Sequence, residues 1–126
     1  MEYQPRNKRL YKKAVEIFTL SRDISQYLVH DLAPLQNNTE NPHIYFTGDI
    51  IRQSDSLATK IITAENQTFQ DDRIKQANSL IRLTNRIYKN CERLEQVESN
   101  GKDFLPVLRK ELRKFKRLQR NWMMTL

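Results

Sequence analysis

Two ladders of positive charge are the residues in this chain best spaced to do chemistry. Arg82, Arg86, Lys89 and Arg93 recur at intervals of four, three and four, and Arg109, Arg113, Lys116 and Arg120 repeat the rhythm. At ~100° per residue, each set runs along one side of an α-helix. Guanidinium and ammonium groups spaced on a rigid rod neutralise phosphates or carboxylates and release their counterions. Lys110, Lys114 and Arg117 stand one residue beyond the second ladder. A third group, Arg6, Lys8, Arg9, Lys12 and Lys13, falls at the start of a predicted helix. Cations there oppose the helix dipole by a few tenths of a kcal/mol or more each. Local stability does not explain them, whereas an anionic partner does.

Groups suited to bond-making are scarce. His30 and His43 are the only imidazoles. Glu40-Asn-Pro-His43 matches the Glu-x-x-His of di-iron bundles once, whereas such a centre needs two pairs and further inward carboxylates. Asp49, Asp55 and Glu65 have no ligand partner at metal-binding spacing. Arg22 and His30 are too isolated to form a nuclease-like pair. Two glycines cannot build a phosphate-cradling loop, and no Gly-x-Ser-x-Gly is present. The expectation is a protein that is not an enzyme, with no catalytic residue, cofactor or metal site.

The ladders need long helices to carry them, and the apolar pattern supplies four. Leu10, Ala14, Ile17, Ser21, Ile24 and Leu28 form one seam. Thr47 (or Phe46), Ile50, Ser54, Leu57, Ile61 and Ala64 form a second. Ala77, Leu80, Thr84, Ile87, Cys91 and Leu94, flanked by Ile74, Ile81 and Val97, form a third. Leu105, Leu108, Leu112, Phe115, Leu118 and Trp122 form a fourth. Pro5 precedes or opens the first helix, Asn41 and Pro42 start the second, and the second stops near Asn66. Asp71 and Asp72 are expected to cap the third helix, Ser99-Asn100-Gly101 to end it, and Asp103 with Pro106 to start the fourth. The fold expected is all-α: one domain over residues 1–126, a left-handed up-down-up-down four-helix bundle. Cys91 lies on a seam, where a thiol packs as a small inert hydrophobe.

Twenty-two basic against fifteen acidic side chains give a net charge of +7 and a pI near 9.7. The excess is segregated: residues 1–13 carry five basic groups and one acidic, and residues 102–126 carry eight and two. The middle carries nine basic and twelve acidic. An up-down-up-down bundle gathers the two basic termini at one end, with helices three and four continuing the positive charge. Such segregation points to RNA or DNA as the partner. The alternative is an adaptor docking an acidic protein surface. Tyr3, Tyr11 and Tyr88 lie among basic groups, whereas Phe18, Phe115 and Trp122 fit the seams. Recognition of backbone and shape is therefore expected rather than base stacking. One cysteine suits a reducing cytoplasm. The N-terminus lacks the apolar stretch of a signal peptide, and no apolar run approaches the ~20 residues that span a membrane.

Tyr11, Val15, Phe18 and Val29 make a second apolar stripe on helix one, and Ile51, Ala58 and Ile62 make one on helix two. A face this wide exceeds what a monomer's core requires. The stripes are expected to meet neighbouring subunits of a homo-oligomer.

Phe46-Thr47-Gly-Asp-Ile50-Ile-Arg52-Gln-Ser54-Asp-Ser-Leu57 resembles the hydrophobic-Thr-x-x-Ile-x-Arg pattern of small bacterial four-helix-bundle proteins encoded in intervening sequences of large-subunit ribosomal RNA genes. Arg73-Ile-Lys-Gln-Ala77, Leu80-Ile-Arg82-Leu-Thr-Asn-Arg86 and Lys114-Phe-Lys-Arg-Leu-Gln-Arg-Asn-Trp122 are more similar to a sister group, the accessory variability determinants of diversity-generating retroelements. Leu57-Ala-Thr-Lys-Ile-Ile-Thr-Ala lacks the Pro-x-Asn-x-x-Glu-Gly segment of the ribosomal-insertion proteins, which favours the retroelement group. That resemblance implies a funnel-like homopentamer with a positive surface. It also implies a non-catalytic role, binding the element's reverse transcriptase and its RNA or DNA.

Overall fold

The computed structural model describes residues 4–32, 44–97 and 102–126. Helices α1 (Lys8–Leu32), α2 (Ile44–Glu65), α3 (Gln70–Glu95) and α4 (Leu105–Met123) follow in order, with a short 3₁₀ turn at Lys102–Phe104 before α4. The expected starts at Asn41 and Pro42 and the stop at Ser99–Gly101 lie outside the described residues. So do Tyr3, Glu40 and His43, and the side chains of Val29, His30 and Phe46.

The architecture is an all-α four-helix bundle. Each helix packs against two neighbours, α1 on α2, α2 on α3, α3 on α4 and α4 on α1, which closes a ring. One end of the ring unites the start of α1, the end of α2, the start of α3 and the end of α4. There Glu65 accepts the Arg6 backbone N–H at 3.2 Å and Trp122 Nε1–H at 2.7 Å. Arg6 Nη1 donates to the Thr125 carbonyl at 2.6 Å. Arg73 donates to the carbonyls of Leu126, Gln67 and Thr68, tying the α2–α3 turn to the C-terminal residues. Neighbouring helices thus run antiparallel.

The seams form the core. Every α1 seam residue from Leu10 to Leu28 is buried, as are Thr47, Ile50, Ser54, Leu57, Ile61 and Ala64 on α2. Ala77, Leu80, Thr84, Ile87, Cys91 and Leu94 are buried on α3, joined by Leu83. On α4 the buried set is Leu105, Leu108, Leu112, Phe115, Gln119 and Trp122. Leu118, expected on this seam, is only half-buried and packs at its margin. The four-three alternation continues from Phe115 through Gln119 to Trp122, so the inward place falls to a glutamine. Gln119 is accommodated because its Nε2 donates to Thr84 Oγ1 at 2.7 Å, and Thr84 donates to the Leu80 carbonyl at 2.9 Å. Ser21 and Ser54 share a hydrogen bond at 2.9 Å between α1 and α2. Satisfied polar pairs of this kind fix which level of one helix faces which level of the next.

The helix starts differ from expectation. The N-cap of α3 is Phe69, with no side-chain cap; Asp71 and Asp72 fall in the first turn, where their charge meets the exposed N–H groups. Phe104 stands before α4, with Pro106 in its first turn. At α1 the Asn7 side chain accepts the Leu10 N–H at 3.0 Å, a cap the Pro5 signal does not reveal. Cys91 is fully buried, and burial with Glu95 nearby pushes its thiol up to about 12, so it stays protonated.

Candidate nucleic-acid interface

Seam offset decides where each ladder points. Arg82, Arg86, Lys89 and Arg93 each stand two residues after a seam position, ~200° round the helix, and all four are exposed on the back of α3. Arg109, Arg113, Lys116 and Arg120 each stand one residue after a seam position, ~100° round. That offset turns them towards α3, where Tyr88, Asn85 and Glu95 share it. The second ladder therefore runs along the α3-facing side of α4, where Arg109 and Lys116 are half-buried and Arg113 and Arg120 stay exposed. Lys110 and Arg117 take the outward direction on α4 and are exposed.

Between α3 and α4 most of the α4 ladder is already engaged. Arg109 Nε donates to Glu95 at 2.9 Å, and its Nη1 donates to the Tyr88 hydroxyl at 3.3 Å. Arg113 donates to the same hydroxyl at 3.4 Å. The Lys116 ammonium lies over the Tyr88 ring, 5.7 Å from its centroid. The hydrogen bond to Tyr88, with help from Glu95, raises the pKa of Arg109. Tyr88 thus gathers three cations of α4 onto α3.

The N-terminal cations divide in the same way. Arg6 closes the bundle end, and Lys13 bridges to Glu111 of α4 at 2.7 Å and to Glu16 at 2.9 Å. The bond to Glu111 raises Lys13, and the bond from Lys13 holds the Glu111 carboxyl below its ordinary range. Arg9 and Lys12 are exposed. Among the described residues Arg9, Lys12, Arg82, Arg86, Lys89, Arg117 and Arg120 have no hydrogen bond or ion pair through their side chains. Arg93 is exposed and makes an interaction of its own. The candidate surface is therefore the back of α3 and the exposed side of α4. Arg82 to Arg93 covers about 16 Å of helix axis at ~1.5 Å per residue, a length over which one strand carries roughly five phosphates.

The two apolar stripes meet on the other side of the molecule. Ser21 and Ser25 of α1 hydrogen-bond Ser54 and Thr47 of α2, whereas Gln53 and Lys60 of α2 reach Asn90 and Ser79 of α3. Tyr11, Val15 and Phe18 follow the α1 seam by one residue, and Ile51, Ala58 and Ile62 follow the α2 seam by one. Both sets border the α1–α2 groove. Val15 is 47% exposed; the others are half-buried, with Ala58 packed on the core. The Arg22 guanidinium covers the Phe18 ring at 5.9 Å.

Among the described residues no three His, Cys, Asp or Glu side chains gather as a metal would require, and no helix is long and apolar enough to cross a membrane. The fold and site together define a four-helix bundle with an apolar groove on one side and a cationic surface on the other. Comparison with known protein families, characterised proteins and solved structures finds no match.

Proposed function

We propose that this protein is a non-catalytic accessory protein that binds RNA or DNA through phosphates along α3 and α4. The observation that carries the reading is the set of exposed, uncommitted cations on rigid helices: Arg82, Arg86, Lys89, Arg117 and Arg120. An intramolecular ion pair would have to be loosened before such a group met a phosphate; these have none among the described residues. The engaged cations, Arg109, Arg113 and Lys116, add positive potential while holding the surface in shape. Arg9 and Lys12 extend it at the end shared by α1 and α4.

The apolar α1–α2 groove supports self-association, with a homopentamer as the number implied by resemblance. Several copies acting on one polymer convert a weak site into a tight one. The resemblance to retroelement accessory proteins adds a reverse transcriptase as protein partner, and the single cysteine suits a cytoplasmic setting. The test is fluorescence anisotropy with labelled RNA and DNA over a salt series. Binding that weakens steeply with salt, is competed by heparin and is insensitive to sequence is the expected result. Salt-insensitive binding, or none, would replace this reading with an adaptor for an acidic protein surface.

A further inference from the structure

The solvent side of α1 carries a shallow apolar dish of about 590 Å³, lined by residues of that helix alone, from Tyr11 to Asp23. Its short side chains are Val15 and Thr19, one turn apart and both exposed. The Thr19 hydroxyl donates to the Val15 carbonyl at 3.1 Å, so it asks no hydrogen bond of a partner. Lys12 lies towards one end of the dish and Asp23 at the other, and both are exposed. Among the described residues the Lys12 side chain has no hydrogen bond or ion pair, and Asp23 has only Arg22, at 4.0 Å.

An apolar floor bounded by one cation and one anion suits a second copy of itself, in one direction only. Two α1 helices laid parallel would set Lys12 against Lys12 and Asp23 against Asp23. Laid antiparallel, they set Lys12 of each copy against Asp23 of the other, and opposed charges of this kind fix register. Such a contact is two-fold symmetric, with residue i meeting j and j meeting i. The axis then passes level with Ile17 and Phe18, Glu16 falls beside Thr19 of the second copy, and Lys8 and Arg9 meet uncharged Tyr27 and Gln26. Lys13 and Arg22 share a level but not a side, since Lys13 is held to Glu111 of α4 and Arg22 covers Phe18 beside α2. One pair of helices falls short of the ~1,200 Å² of a stable interface. Tyr11 and Val15 belong both to the dish and to the apolar stripe beside it, so the contact continues into the α1–α2 groove and depends on it.

We infer that α1 joins two copies of this chain, packed antiparallel about a two-fold axis with each Lys12 paired to Asp23 of the other copy. The inference rests on the self-association reading above and names the element and the symmetry of one contact. A two-fold contact closes on two copies, so it joins chains, or larger rings of them, in pairs. Of the two cations that extend the phosphate surface at this end, Arg9 stays at the edge of the contact and Lys12 enters it.

Sedimentation equilibrium of the full chain at low salt gives the mass of the assembly and the dissociation constant of the pair. The wild-type mass should be an even multiple of 15.1 kDa. Lys12→Glu and Asp23→Lys, each with helicity checked by circular dichroism, should each raise the dissociation constant about tenfold, because two exposed ion pairs become two repulsions. The two substitutions together should restore the wild-type constant. Thr19→Cys gives a reading independent of charge. The two Thr19 positions lie ~4.5 Å apart along the helix direction at ~1.5 Å per residue, and the native Cys91 is buried. Mild oxidation should therefore link two copies of Thr19→Cys, and should not link Thr63→Cys, exposed on α2. An odd multiple above one, no recovery in the double variant, or no link through Thr19→Cys would overturn the two-fold contact and leave self-association standing. A wild type of one-chain mass would remove both, and would leave the dish to a different protein.

Discussion

The bundle presents two equivalent grooves, each formed by residues one step beyond the seams of adjacent helices, and it fills them with opposite chemistry. Between α1 and α2 stand Tyr11, Val15 and Phe18 facing Ile51, Ala58 and Ile62. Between α3 and α4 stand Asn85, Tyr88 and Glu95 facing Arg109, Arg113, Lys116 and Arg120. The helices' charge follows: α2 carries two basic and three acidic residues, and α4 carries seven and one. Equivalent backbone geometry with opposite side chains separates two tasks. An apolar groove that water wets poorly is suited to a protein neighbour. A cationic one, held together by a tyrosine and a glutamate, is suited to an anionic polymer.

Both grooves sit on one shared core, and truncating that core should have the greatest consequence. Leu80 is fully buried on the inner face of α3. Leu80→Ala should cost about 2–5 kcal/mol in chemical denaturation, as core truncations do. A cost under 1 kcal/mol would mean that α3 is not anchored as described. On the apolar side, Ile62→Glu should dissociate the proposed assembly, with light scattering falling to the 15.1 kDa of one chain. Apparent affinity for nucleic acid should drop by about 10²-fold or more as multivalency is lost. A wild type already of one-chain mass would mean that the α1–α2 groove does not hold a second copy.

The engaged and uncommitted cations should separate next. Tyr88→Phe removes the hydroxyl that accepts from Arg109 and Arg113 and should cost about 1 kcal/mol of stability. Its effect on the salt dependence of binding should be small. The smallest effect concerns the α1–α4 side. Glu111→Gln should cost about 1 kcal/mol or less, since the Lys13 and Lys114 pairs are partly exposed. Lys13 first, then Lys114, lower the Glu111 pKa on folding, so the stabilisation is complete above its ordinary value of 4.5 and is lost as pH falls through the lower folded value. Wild type and variant should therefore differ at neutral pH and converge in acid, as read by thermal melts; a difference that persists in acid would contradict this.

Most of the core was legible because burial follows the three-four spacing, and it failed where that spacing was not followed strictly. Leu118 was the more hydrophobic choice, yet phase gave the inward place to Gln119, whose burial depends on Thr84 of another helix. The ladders were legible as ladders. Their directions were also encoded, in the one- or two-residue offset from the seam, but an offset acquires meaning only once the neighbouring helix is known. Commitment was not legible at all: Arg82 and Arg109 look alike in sequence, and only the fold sets Glu95 and Tyr88 against one of them. The Asn85 side-chain oxygen, buried without a donor among the described residues, was invisible for the same reason, since an unmet hydrogen bond is a property of packing.

Phosphate binding is assigned here to the uncommitted cations of α3 and α4. Charge reversal on the two sides, read as the slope of log affinity against log salt, tests it most directly. Arg82→Glu with Arg86→Glu should weaken binding to unrelated sequences alike and flatten the slope by about 1.4–1.8, two contacts' worth. Arg22→Glu with Arg52→Glu, reversing cations that already pair with Asp23 and Asp49 on the α1–α2 side, should leave the slope unchanged. Equal losses from the two pairs would mean that only net charge matters, and an unaltered slope in the α3 pair would contradict the account outright.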